Sequence, residues 1–201
     1  MARVLSLLIF ITKHILSILD KYIKMKKNIV IIAFSMLSTA ANAQVSIGGK
    51  QSVEGTSTLL DFNNTATNTN GIILPAVTNV SNALATNTTY NNGTFLFDIS
   101  TGKIKMYENS TWVDLSPAGN SASIIANTST ESTANQGVII GSATSNAKGV
   151  LVLESSNKAM ILPRIATPHL TVKSPYPGML CYDTTSKTIA LFDGNVWNYW
   201  K

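Results

Sequence analysis

"GTFLFDISTGKIKMYENSTW" (93–112) and "GMLCYDTTSKTIALFDGNVW" (178–197) lie over one another without a gap. Gly93 falls on Gly178, Asp98 on Asp183, Ile104 on Ile189 and Trp112 on Trp197. Within the first stretch, "TFLFDI" and "KIKMYE" are rich in aromatic and branched residues and bracket Ser100-Thr101-Gly102. Two such runs around a short turn with glycine at its end predict a β-hairpin. In the second stretch, "MLCYD" and "TIALFD" bracket Thr184 to Lys187. Asn109 to Thr111 and Asp193-Gly194-Asn195 then turn the chain into a third strand carrying the tryptophan. Each stretch therefore reads as a three-strand meander.

Outward from the meanders the correspondence continues. "GIILPAV" (71–77) matches "AMILPRI" (159–165), so that Leu74-Pro75 falls on Leu162-Pro163. "TLLDF" (58–62) falls near "LVLES" (151–155), and "VSIG" (45–48) near "VIIG" (138–141). Self-similarity at a fixed spacing is an architectural signal that precedes any local detail. The expected fold is all-β: two tandem small units of short antiparallel strands, each a meander preceded by an "ILP" strand. The units span 44–115 and 137–201, and a Ser/Thr/Asn-rich linker joins them at 116–136. Proline cannot donate to a ladder, so Pro75 and Pro163 are expected to end a strand or lie at an edge. A helical turn is expected around Val80 to Ala85.

The N-terminus reads differently. From Met25, "MKKNIVIIAFSMLSTAANA" has a basic start, an apolar stretch and the small-residue site Ala41-Asn42-Ala43, the three parts of a secretory signal peptide. Cleavage is expected before Gln44, with export to the cell surface or medium, or to the periplasm. The apolar stretch is shorter than the roughly 20 residues that span a bilayer. Residues 1–24 read as an extended basic region, an amphipathic anchor, or sequence upstream of a true start at Met25. The last is favoured, because the signal is complete without them. The leader, 1–43, is expected to be helical and to stand apart from the fold.

Charge follows the same division. Residues 1–43 hold six basic side chains against Asp20 alone, whereas 44–201 hold nine basic and nine acidic ones. The basic pI thus belongs to the leader, and nucleic-acid binding has no support in the rest. Nor does any stretch after Gln44 offer a membrane span.

Catalytic and metal chemistry finds little material. After the leader, His169 and Cys181 are the sole histidine and cysteine. They cannot make the usual zinc set, and one cysteine forms no internal disulfide. Cys181 aligns with Leu96, an apolar strand position. The carboxylates Asp98 and Asp183 occupy matching hairpin corners, where an Asx turn accounts for them; Glu108 and Asp193 are similarly matched. No nucleotide fingerprint or calcium loop occurs. The expectation is no enzyme and no cofactor. Among the aromatics, Trp112 and Trp197 are expected to close the two cores. Tyr199 and Trp200 lack counterparts and are the candidates for contact with a partner or a surface glycan.

The second unit resembles a module of secreted Bacteroidetes proteins that is related to phage tail-fibre segments. The residues that carry the resemblance are Lys158, Leu162, Pro163, Arg164, Ser174, Pro175, Gly178, Tyr182, Asp183, Thr184, Asp193, Gly194 and Trp197. The first unit matches more weakly, with Ala76 in place of the arginine. The resemblance implies a structural or adhesive surface module, oligomeric and by preference trimeric. Independently, a unit of ~60 residues is marginal alone and needs packing partners. The alternative is a small carbohydrate-binding protein that uses the C-terminal aromatics.

Overall fold

The computed structural model describes residues 2–38, 44–83, 89–125 and 137–201. It holds two compact units, Met1–Asn42 and Ala43–Lys201. The first is a helix, α1 (Ala2–Ser38), whose span contains neither proline nor glycine. One turn apart on it, Lys24 and Asp20 pair at 3.0 Å, and the Lys26 ammonium lies 4.7 Å over the Tyr22 ring. No described helix is long and apolar enough to cross a membrane.

The second unit is built of short strands in several small sheets. Its first half has β1 (Val45–Ile47), β2 (Thr58–Phe62), β3 (Ile72–Ile73), β4 (Ala76–Val77), β5 (Thr94–Asp98), β6 (Lys103–Glu108) and β7 (Thr111–Asp114). The second half has β8 (Val138–Ile140), β9 (Leu151–Leu153), β10 (Ala159–Met160), β11 (Arg164–Ile165), β12 (Met179–Asp183), β13 (Thr188–Phe192) and β14 (Trp197–Trp200), with a short helix α2 (Pro168–Thr171). A 3-10 turn forms at Val80–Asn82, capped by the Asn79 side chain. Leu84 and Ala85, the end of the helical turn expected there, lie outside the described residues.

Both meanders form, β5-β6-β7 and β12-β13-β14, with every pairing antiparallel. Their hydrogen bonds correspond. The Gly93 and Gly178 N–H groups donate to the carbonyls of Tyr107 and Phe192, each at 2.8 Å. The Gly102 and Lys187 N–H groups close the two hairpins on Asp98 and Asp183, again at 2.8 Å. Across the third strands, Tyr107 faces Trp112 and Phe192 faces Trp197, with ring centroids 5.2 and 5.4 Å apart.

Outside the meanders every pairing but β3–β12 among the described residues is parallel, unlike the antiparallel pattern read in the sequence. β1–β2, β8–β9 and β10–β2 are parallel, as are β4–β5 and β11–β12. Each proline separates two short strands and changes the chain's partner there. After Pro75 and Pro163 the chain joins its own meander: the two proline carbonyls accept from Phe97 N–H (2.9 Å) and Tyr182 N–H (2.8 Å). Before them it crosses to the other half. β3 pairs antiparallel with β12, and β10 pairs with β2.

One apolar core consequently serves both halves. Leu74, Phe97, Ile104 and Leu115 from the first pack with Leu180 and Leu191 from the second. A smaller cluster of Ile165, Met179, Cys181 and Ala190 underlies the second meander, with Trp197 packed against it. Burying side chains of this size contributes roughly 1.5–3 kcal/mol each. Cys181 is fully buried and its thiol is pushed up to about 12, by burial first and by Asp183 second. That makes it a small core hydrophobe rather than a nucleophile.

The start of the linker belongs to this packing. The Ser116 hydroxyl accepts from Ile104 N–H at 3.0 Å. Gly119 N–H donates to Gly102 O and Asn120 N–H to Asp193 O, at 2.8 and 2.9 Å. At that seam two glycines meet the opposing backbone. A Cβ on Gly119 would lie 2.0 Å from Asp193 O, and one on Gly194 would lie 1.9 Å from Asn120 O.

Gly194→Ala is therefore expected to destabilise the chain by about 3 kcal/mol, an overpacking cost at the upper end of the usual range. Urea unfolding followed by tryptophan fluorescence measures it; an unchanged midpoint refutes the seam. The buried Tyr107 hydroxyl has no hydrogen-bond partner among the described residues. Tyr107→Phe, which copies Phe192, should stabilise by about 1 kcal/mol, because an unmet buried hydroxyl costs that much or more. A fall in the same midpoint would contradict this.

Candidate functional site

The residues that recur in the two halves are brought together as structural corners, not as a reaction centre. Leu74 is buried and donates its N–H to Gly178 O at 3.0 Å, and Leu162 packs against the shared core. Pro163 is fully buried. Asp98 and Asp183 are both 1% exposed at their hairpin turns. Asp98 accepts from Ser100 N–H (3.1 Å) and the Thr101 hydroxyl (2.8 Å). Asp183 accepts from Thr185 N–H (2.9 Å), the Ser186 hydroxyl (2.7 Å) and, across the loop, Thr167 N–H (3.0 Å). These are Asx turns in which each carboxylate serves the backbone that follows it. Asp193 does the same for Asn195 and Val196, both at 2.8 Å. Among the described residues, no three His, Cys, Asp or Glu side chains gather as metal ligands.

A second polar cluster joins the halves, and sequence reasoning missed it. Asp61 lies on β2 with no exposed surface. Lys50 Nζ reaches it at 2.5 Å and Glu54 at 3.1 Å. Glu54 then pairs at 2.7 Å with Arg164, the arginine of the "LPR" phrase. The backbone N–H groups of Glu54 and Phe62 donate to Asp61, each at 2.9 Å. Burial pushes the Asp61 carboxyl up, but Lys50 and the two amides outweigh it and hold it below the ordinary aspartate range. The one available signal was an aspartate inside the apolar run "TLLDF".

Tyr199 and Trp200 are exposed by 40% and 44% on the outer strand β14. Each already has a hydrogen bond. The Tyr199 hydroxyl meets His169 Nδ1 at 2.7 Å, and the Trp200 indole N–H donates to Leu115 O at 2.6 Å. The indole thus ties the end of the second half to the end of the first. Trp200 and Tyr199 line a shallow cleft with Asp114, Ser116, Pro117 and Asn198.

Apolar side chains are exposed elsewhere in the second half, at Val138 of β8, Leu151 of β9 and Val150 just before β9. Val150 is 71% exposed. A lone chain leaves these in water, which is unfavourable unless a partner covers them.

Residues 139–201 match the family model of the phage tail like trimerisation region. No curated protein and no solved structure matches the chain. The family match relates the second half to phage tail-like segments and points to a structural, oligomeric module with no catalytic role.

The carboxylates make the fold acid-sensitive in a defined sense. Burial raises the Asp183 carboxyl, but the Ser186, Thr185 and Thr167 donors outweigh it, and it too lies below the ordinary range. Groups depressed in the folded state stabilise it above their unfolded value, near pH 3.9, and lose that contribution as pH falls through the folded value. The urea midpoint should therefore hold above pH 5 and fall below pH ~4. Asp183→Asn should start lower and fall less over that window; an acid limb identical to the wild type would show that Asp183 is not part of it.

Proposed function

We propose that residues 44–201 are an exported, non-enzymatic structural module of the cell surface, tail-fibre-like, adhesive, and assembled as a homotrimer. In this reading the chain carries two tandem copies of one module, 44–115 and 137–201. The observation that carries it is the match of 139–201 to a trimerisation region. The exposed apolar side chains of the same stretch support it, since association would remove them from water.

Export is read from the signal-like sequence ending at Ala43, with Gln44 as the first residue of the mature chain. Material recovered from the envelope or medium of the producing cell should begin at Gln44 by intact mass. The same material, on a sizing column with light scattering, should keep the mass of three chains across a dilution series. A single-chain mass throughout would overturn the trimeric reading.

One observation favours a second reading, glycan binding. The rings of Tyr199 and Trp200 stand at a cleft that also offers Asp114 and Asn198, an apolar face beside polar groups. Tryptophan fluorescence that shifts with a glycan, and no longer does so in Trp200→Ala, would support it. A flat response across a glycan panel would remove it.

A further inference from the structure

The two strands that precede the prolines use opposite edges. In β10, the N–H groups of Ala159 and Ile161 face β2 and donate to Ser57 O and Leu60 O, both at 2.8 Å. In β3, Ile72 pairs with Leu180, and Leu74 N–H donates to Gly178 O. Placing Pro75 on Pro163 puts Gly71 and Ile73 on Ala159 and Ile161, and Ile72 on Met160. Successive peptide groups of a strand point to alternate sides in the ladder. Each strand therefore leaves free the edge that its counterpart has filled: β3 that of Gly71 and Ile73, β10 that of Met160.

The edges that would receive them correspond as well. β9 lies on β8 as β2 lies on β1. Glu154 N–H donates to Ile140 O as Asn63 N–H donates to Ile47 O, both at 2.9 Å. This places Leu151 on Leu60. Leu60 has β10 beside it, whereas β9 at Leu151 has no strand on that side among the described residues. In the meanders, Leu180 of β12 carries β3, and the matching Phe95 of β5 carries no strand on that edge among the described residues.

We propose that a second copy of this chain supplies both missing strands. β3 of one copy lies parallel along β9 of the next, with Ile73 N–H donating to the Leu151 carbonyl. At the same junction, β10 of the second copy lies along Phe95 of the first. The contact repeats, between the second half of one chain and the first half of another, the crossing that already joins the two halves within a chain. Both strands are uncharged, and Ile73 and Leu151 are 48% and 46% exposed in the single chain. The second copy is the occupant because each half of the junction supplies the strand that the other lacks. Contacts of this head-to-tail kind close into a ring or run on as a filament, according to their rotation. Closure at three copies gives the trimer, so the proposal rests on the oligomeric reading above.

The test mixes chains carrying Ile72→Cys with chains carrying Leu151→Cys. The two positions would be Cα partners, as Met160 and Leu60 are. Neighbouring strands stand about 4.8 Å apart, within the Cα range of a disulfide. Native Cys181 is buried and is blocked with an alkylating agent only on unfolding. Oxidation of the mixture should give a disulfide-linked dimer, which neither variant gives alone. Mixed oligomers that form by native mass spectrometry but never cross-link would overturn the strand exchange and leave the oligomer standing. A wild-type chain that is monomeric overturns both. In parallel, Leu151→Pro removes only an N–H turned away from β8 and should drop the mass to one chain while the circular dichroism holds. An oligomer of unchanged mass would also overturn the exchange.

Discussion

A peptide bond without a hydrogen sits at the centre of this fold. Pro75 and Pro163 can accept from a neighbouring strand but cannot donate to one, and each does accept, from Phe97 and Tyr182. The ladder on one side is interrupted there, and the chain leaves one partner strand for another. The two-residue strands on either side of each proline thereby tie two sheets together. The shared core of Leu74, Phe97, Leu180 and Leu191 lies at this crossing. The crossing explains why 44–201 is one compact unit although its sequence reads as two.

Local chemistry was legible and long-range partnership was not. The meanders followed from alternation, from Gly102 at a positive φ, and from the Asx residues at the corners. The strand positions of Trp112 and Trp197, each across from an aromatic ring, followed from the alignment. Nothing within a few residues of Ile72 says that it pairs with Leu180, or that Met160 pairs with Leu60. Two-residue strands have too little pattern to announce a partner, and a parallel pairing leaves no turn signature. The ion pairs around Asp61 were hidden for a related reason: Arg164 stands 110 positions from Glu54. The linker read as polar spacer because Ser116, Gly119 and Asn120 act through backbone and hydroxyl bonds, which leave no apolar trace in sequence.

The polar groups that in another protein would suggest chemistry are spent on architecture here. Asp98, Asp183 and Asp193 satisfy turn amides, and Cys181 fills a strand position beneath the second meander. Buried carboxylates of this kind are satisfied acceptors, and their cost is met by the donors around them. Apart from the Tyr107 hydroxyl and Arg164 Nε, what remains unsatisfied among the described residues is of another sort: apolar side chains in water and strand edges without neighbours. A structural, oligomeric module of the phage tail-like type has a use for both.

The crossing also governs when folding can begin. β2 has no second neighbour until residues near Met160 exist, and the first core lacks Leu180 and Leu191 until the chain is almost finished. Contacts that close such long loops are slow to form, and their absence leaves strand edges exposed. The first half, emerging from the ribosome, is therefore an incomplete object held open for the length of the second half's synthesis.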